Sequence, residues 1–230
     1  SVGMPCSSPL FATRDGDGLV SLRSSRLSAV LEDGQYLELA CGRCPSCKWL
    51  RAKNWAIRCV HEAETSKRRV AGAWVPNSCF VTLTYNDDHL PEDGSLVKKD
   101  FQNFMKRLRH STTSKIRYLM CGEYGSKNGR PHYHACLFNK DFHEDRTLWQ
   151  SSDNQRVWLS EALSQIWGKG FTTIAPLTFG TASYVAGYVM KKQRESVFEE
   201  TNAVYGATAD IIWKKCPEYV CMSLKPGLGF

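Results

Sequence analysis

Hydrophobic and polar positions change period several times along this chain, and each change marks an element. Residues 78–85, SCFVTLTY, are β-branched and aromatic almost throughout and predict a buried strand. Residues 98–110 switch to helical spacing, with Phe101, Phe104, Met105 and Leu108 on one face. KIRYLMCGEY (115–124) and HYHACLF (132–138) are strand-like, and the turn-forming GSKNGRP between them predicts an antiparallel hairpin. Residues 47–65 hold no Gly or Pro and carry an apolar stripe of Trp49, Ala52, Ala56, Val60 and Ala63, which predicts a helix. A helix over 157–167 ended by Gly168, a strand FTTIAPL (171–177), a helix over 181–194 and a last strand EYVCMSL (218–224) complete the series. Residues 1–40 are loop-rich, with turns at RDGDG and EDGQY and one short strand, YLELA. Strands separated by helices, with one hairpin among them, predict an α+β sandwich on a mainly antiparallel sheet.

Composition narrows the class. A chain of 230 residues, 42% hydrophobic, suits one domain or one domain with an appendage. No apolar run approaches the ~18 residues a membrane helix needs, so no membrane partner is expected. The first residues lack a basic-then-apolar leader, which predicts an intracellular protein, and Met4 reads as a natural start. Lys and Arg outnumber Asp and Glu by 30 to 23, a surplus of +7 that permits a nucleic-acid partner without requiring one. Of the ten cysteines, Cys41, Cys44 and Cys47 crowd together, which in a chain without an export signal points to a metal site before a disulfide framework.

Two segments carry candidate chemistry. In HYHACLF, His132 and His134 point to the same side of a strand, about 6.5–7 Å apart along it. If the hairpin pairs in register, the Glu123 carboxylate comes beside His132 on that face. Two imidazoles and a carboxylate leave room for water or a phosphate oxygen, as a catalytic ion needs, and the set suits Mn2+ and tolerates Mg2+. His89 is the alternative third ligand, and a solvated strand face is the plain alternative to a metal site. In SYVAGYVMKK, Tyr184 and Tyr188 are four apart and share one helix face, which Lys191 joins. A phenolate is a competent nucleophile toward phosphorus, and a nearby ammonium helps hold it deprotonated. Ordinary aromatic packing is the competing account.

FVTLTY, RPHYHACLF and YVAGYVMKK, in this order, resemble the three motifs of HUH-family rolling-circle replication initiators. With PCSSPL near the start and CGRCPSCKWLRAKNWAIRCVHEAE after it, the chain is similar to the initiators of the small single-stranded-DNA microviruses, the gokushovirus group in particular. The resemblance implies the HUH endonuclease fold, a central antiparallel five-stranded sheet flanked by helices. It implies a divalent ion on His132 and His134, with Glu123 at the position of the usual third ligand. Tyr188, or its partner Tyr184, would attack a phosphodiester at the origin, leaving a 5′-phosphotyrosine link and a 3′-hydroxyl that primes synthesis. Two tyrosines allow a second cleavage while the first remains occupied. Lys191 fits the family's tyrosine-x-x-lysine spacing, with Lys192 as competitor. The implied partners are single-stranded viral origin DNA and host replication proteins, in the cytoplasm of the bacterial host.

The cysteines form C-x2-C-x2-C, a spacing that suits structural zinc with a fourth thiolate. Cys59 is nearest in sequence, but on a continuous helix from Cys47 it lies about 18 Å up the axis. Cys6 is therefore the expected fourth ligand, stapling the N-terminus to the first helix; an iron–sulphur cluster or free thiols are the alternatives. The expected division is a zinc-binding segment and helix over 1–66, a nickase core over 67–195 and a C-terminal extension, cut short, over 196–230. Lys67, Arg68, Arg69, Lys98, Lys99, Lys106, Arg107 and Arg109 are candidates to neutralise phosphates. Other activities fit parts of this pattern: a non-catalytic zinc-stapled DNA-binding recruiter, a hydrolase that activates water through H-x-H, and a related tyrosine transposase.

Overall fold

A computed structural model describes residues 6–31, 33–152, 155–188, 215–223 and 228. The chain divides into two compact units, residues 1–51 and 52–230.

In the first unit, β1 (Leu10–Arg14) pairs antiparallel with β2 (Val20–Arg23) on one side. On its other side it pairs with β3 (Gln35–Leu39), and α1 (Arg26–Leu31) connects β2 to β3. The RDGDG turn forms where expected: Asp15 Oδ1 accepts from the amides of Asp17 and Leu19, and Gly18 takes φ 83°. The sequence announced only β3, because β1 and β2 are short and largely exposed and show no sustained alternation. A helix, α2 (Pro45–Thr65), follows the cysteine loop, and the unit boundary falls within it.

The second unit adds a small hairpin, β4 (Lys67–Val70) with β5 (Ala73–Pro76). Then come β6 (Ser78–Thr84), α3 (Lys98–His110), β7 (Arg117–Tyr124) and β8 (Pro131–Phe138). They are followed by β9 (Thr147–Ser152), β10 (Gln155–Leu159), α4 (Glu161–Trp167) and β11 (Thr172–Pro176). A helix, α5, covers residues 179–188, and β12 (Tyr219–Met222) is the last strand. The main sheet is antiparallel, with strand order β12-β7-β8-β6-β11-β10-β9.

The expected five-stranded sheet is thus seven-stranded. The five anticipated strands are its contiguous part, and β9 and β10 extend it beyond β11. Residues 157–159 were expected to start a helix but belong to β10. Ser160 enforces the change: its hydroxyl accepts from Leu163 N–H at 3.0 Å, capping α4, while Gly168 closes that helix at φ 63°.

β8 alternates between two environments. Tyr133, Ala135 and Leu137 face a core with Val81, Leu83, Ile174, the apolar stripe of α3, and Leu163 and Trp167 of α4. Cys136 and Phe138 face the opposite way. There they meet Ala52, Ala56 and Cys59 of α2 and Ala182, Val185 and Ala186 of α5. Arg117 pairs with the buried Glu62 on this side. The two helices cover only part of this second face. Along β6, Phe80, Thr82 and Thr84 stay half-buried while Val81 and Leu83 between them are buried. The strand is therefore buried on one face, not on both.

The first face is tied together by rings with polar ends. Tyr133 donates to the Val97 carbonyl and accepts from its amide, both at 2.9 Å, and Tyr85 donates to Asp100 at 2.8 Å. Trp167 Nε1 donates to the Thr84 carbonyl at 3.1 Å, locking α4 to the end of β6. Gly170 has φ 147°, and a Cβ there would stand 2.3 Å from the Thr84 carbonyl oxygen, so only glycine admits this approach. Trp167→Ala removes a fully buried ring and the bond to Thr84. It is expected to destabilise the protein by about 3–5 kcal/mol, read from the urea midpoint at unchanged m-value.

Candidate metal centre and tyrosine pair

The β7–β8 register puts Glu123 opposite His132 and Cys121 opposite His134. One Glu123 oxygen accepts from His132 Nε2 at 2.7 Å and from His134 Nε2 at 2.8 Å. The rings stand nearly perpendicular, 4.9 Å between centroids. From α5, Tyr184 donates its hydroxyl to the same carboxylate, 2.6 and 2.8 Å from its two oxygens. Tyr188 follows one turn later, with 3.4 Å between the hydroxyls. Tyr188 is buried, whereas Tyr184 is 47% exposed, so one phenol is accessible and the other shielded.

Neighbouring groups fix the histidines. His132 Nδ1 lies 3.0 Å from the Arg130 carbonyl, and His134 Nδ1 lies 2.9 Å from the Thr82 hydroxyl. Phe80 stacks on the His134 ring at 5.3 Å. Thr82 and Phe80 were not singled out from the sequence, although the signal was there. In FVTLTY the residues at spacing two, Phe80, Thr82 and Thr84, oppose Cys136, His134 and His132.

Electrostatics follow from this crowding. Burial works against ionisation of Glu123, yet bonds from His132, His134 and Tyr184 outweigh it and hold the carboxyl well below the usual range. Burial likewise opposes charge on His132, but both its ring nitrogens face acceptors, Glu123 and Arg130, and its pKa is raised. Burial and the adjacent carboxylate push the Tyr184 phenol up.

Glu123, His132 and His134 each offer a ligand atom, all within 4.8 Å of one another. The donor set of two imidazole nitrogens and a carboxylate oxygen is compatible with a divalent ion. His89 is elsewhere: it ends a short 3-10 turn, its Nδ1 held by Asn86 Oδ1 at 2.8 Å. Lys191 and its rival Lys192 lie outside the described residues. Gly187 sits inside α5 with nothing within 4 Å of where a Cβ would be, so the helix face remains open there.

In the first unit, Cys6, Cys41, Cys44 and Cys47 bring their sulfurs within 4.8 Å of one another. All are free thiols. The amides of Cys44 and Arg43 point at Cys41 Sγ, at 3.3 and 3.4 Å, and lower its pKa. Those of Cys47 and Ser7 hold Cys44 down to about 5. A backbone bond near Gly42 favours the Cys47 thiolate, but the neighbouring cysteines and burial push it up to about 12. Such a group accumulates negative charge readily and resists the last deprotonation, which a bound cation relieves; the cluster is compatible with a metal. Cys59 lies apart, buried against the sheet.

Several candidate DNA-contacting cations serve other ends. Arg107 donates to the carbonyls of Ile166 and Trp167, and Arg109 to that of Ile116. Lys98 lies over the Tyr219 ring, and Arg68 points at the buried Asp141 at 3.5 Å. α3 packs on the face opposite the histidines, so its basic residues do not flank them.

The family model for the replication-associated protein ORF2 family matches residues 78–193, from β6 through both tyrosines. The chain belongs to this family of replication-associated proteins. It is 33% identical over 160 residues to the replication-associated protein ORF2 of Spiroplasma virus 4, covering 66% of this chain and 48% of that protein. To the replication-associated protein VP4 of Bdellovibrio phage phiMH2K it is 31% identical over 197 residues, 82% of this chain and 58% of the relative. The replication-associated protein ORF4 of Chlamydia phage 1 is 33% identical over 162 residues, 67% and 38% of the two chains. The chain spans about half the length of the curated relatives it matches. No solved structure matches it. No helix among the described residues of this replication-associated protein is long and apolar enough to cross a membrane.

The sign of the pH dependence follows from His132. Without metal, its ion pair with Glu123 contributes stability that is present in mild acid and fades as pH rises through the raised His132 value. A cation needs the neutral ring, so affinity for it moves the opposite way. Calorimetric titration with MnCl2 is expected to show binding that strengthens with pH over this interval and is lost in Glu123→Gln.

Proposed function

We propose that this protein is a phage replication initiator with the HUH nickase arrangement, cutting single-stranded DNA at the viral origin through a tyrosine nucleophile. The observation that carries the reading is the Tyr184 hydroxyl, 2.6 Å from a carboxylate that both histidines also engage. An accessible phenol bonded to a candidate metal centre is what phosphoryl transfer to tyrosine requires.

His132, His134 and Glu123 would hold Mn2+ or Mg2+, which polarises a phosphodiester and neutralises charge gathering on its oxygens. Tyr184 then forms the new oxygen–phosphorus bond, its phenolic proton departing, while the 3′-oxygen of the upstream nucleotide leaves as a hydroxyl. One phosphodiester replaces another, so little free energy is lost and the reverse reaction rejoins strands. Tyr184, exposed, acts first; Tyr188, shielded behind it, serves the second cleavage once α5 shifts. Lys191 would hold charge near the phenols. The four cysteines would bind structural zinc, a closed thiolate site with no position for substrate. The protein would act in the cytoplasm of the bacterial host, with host replication proteins extending the freed 3′ end.

A labelled origin strand incubated with protein and Mn2+ is expected to yield a covalent adduct mapped by mass spectrometry to Tyr184. The adduct should vanish in Tyr184→Phe/Tyr188→Phe; free 5′-phosphate ends with no protein-bound strand would instead indicate water as nucleophile. Elemental analysis should find about one zinc per chain, reduced by Cys44→Ser; a brown, absorbing protein would indicate iron–sulphur instead.

A further inference from the structure

The part of the second sheet face that α2 and α5 leave uncovered adjoins the tyrosine and the histidines. A recess of about 500 Å3 lies there, inside the range of roughly 300–1,000 Å3 for ligand pockets. His134 and Tyr184 form one side, Phe80 and Thr173 contribute to the floor, and Gln155 and Arg156 of β10 stand on the far side. Among the described residues that line it there is no carboxylate, and Arg156 is the one permanent charge. Phe171, just before β11, alternates with Thr172, whose hydroxyl bonds Ser164 of α4 on the first face. It therefore belongs to the second face, where it meets Trp149 of β9 edge-on at 5.4 Å. Both rings are about half exposed, at 51% and 48%.

Resting on the reading that this protein acts on single-stranded DNA, we propose that the recess and the Trp149–Phe171 pair form a track for unpaired nucleobases flanking the cut. Gln155 and Arg156 on the β9–β10 hairpin read the nucleotide beside the tyrosine. Unpaired bases offer free faces for stacking on exposed rings, whereas bases inside a duplex are stacked on one another. The threonine hydroxyls and the Gln155 amide supply donors and acceptors for base edges, and Arg156 supplies positive charge for a phosphate. The track opens directly onto His134 and Tyr184, so a strand lying in it presents its backbone to the reacting phenol. It also gives the two strands beyond the expected five a purpose: they carry the outer wall.

Binding of a fluorescein-labelled single strand, followed by anisotropy without added divalent metal, tests the track apart from the chemistry. Trp149→Ala and Phe171→Ala are each expected to weaken binding about 5- to 150-fold, with duplex binding unchanged. Trp149→Phe and Phe171→Tyr, which keep a ring, stay close to the wild type. Arg156→Ala lowers the slope of log affinity against log salt by about one. Alanine variants that melt like the wild type and bind the single strand equally well overturn the track. So does loss of self-association in sedimentation without loss of DNA binding, which would assign the aromatic pair to a second copy of the chain. The two readings fail separately: a wild type that binds through the track yet forms no adduct refutes cutting alone, and an adduct formed with binding indifferent to these residues refutes the track alone.

Discussion

Glu123 is a carboxylate with only 5% of its surface in water, and three donors make that burial tolerable. Each comes from a separate decision of the fold. His132 and His134 reach it because β7 and β8 pair in a register that sets Glu123 opposite His132. Tyr184 reaches it because Ala182, Val185 and Ala186 seat α5 on the same face. Remove any donor and a buried charge loses part of its compensation, a cost larger than that of an ordinary hydrogen bond. The same contact that gathers the candidate reacting groups therefore also fixes the helix to the sheet.

The two faces of β8 show how one strand meets conflicting demands. Its odd-numbered side chains are fully buried among aromatics from α3 and α4. Its even-numbered ones begin as half-exposed histidines and become buried Cys136 and Phe138 as the strand runs under the helices. Polar chemistry thus sits where covering helices stop, with a packed core directly beneath to hold the backbone still. A site needs such backing if its ligand atoms are to remain within a few tenths of an ångström of a working arrangement.

What could be read from the sequence depended on whether period and spacing survive without tertiary information. The grouping of Glu123 with the histidines was legible because a hairpin with a period of two leaves few registers. The tyrosine pair was legible from its spacing of four on a helix, and Cys6 by elimination, since Cys59 lay too far along α2. β9 and β10 were not legible. All six residues of β9 are exposed, so no alternation marks it, and the apolar end of β10 runs into α4 with only Ser160 between them. The basic residues of α3 misled for a related reason: charge in a sequence does not say which face of a sheet the helix will cover. Arg107 and Arg109 hold carbonyls, a use that only the neighbouring elements reveal.

The open half of the second face is hard to explain by stability. A sheet face bearing Phe80, Phe171 and Trp149 loses free energy by leaving those rings wet, and a third helix across β6, β11 and β10 would bury them. Covering the face would also close the approach to His134 and Tyr184. The exposed rings and the accessible phenol are therefore one constraint seen twice: the surface stays bare because something long and flexible must lie on it to reach the carboxylate. A small substrate would need only the recess. Rings that continue past it along the face point to a chain-like ligand with flat, stackable units, and an unpaired nucleic-acid strand has both properties.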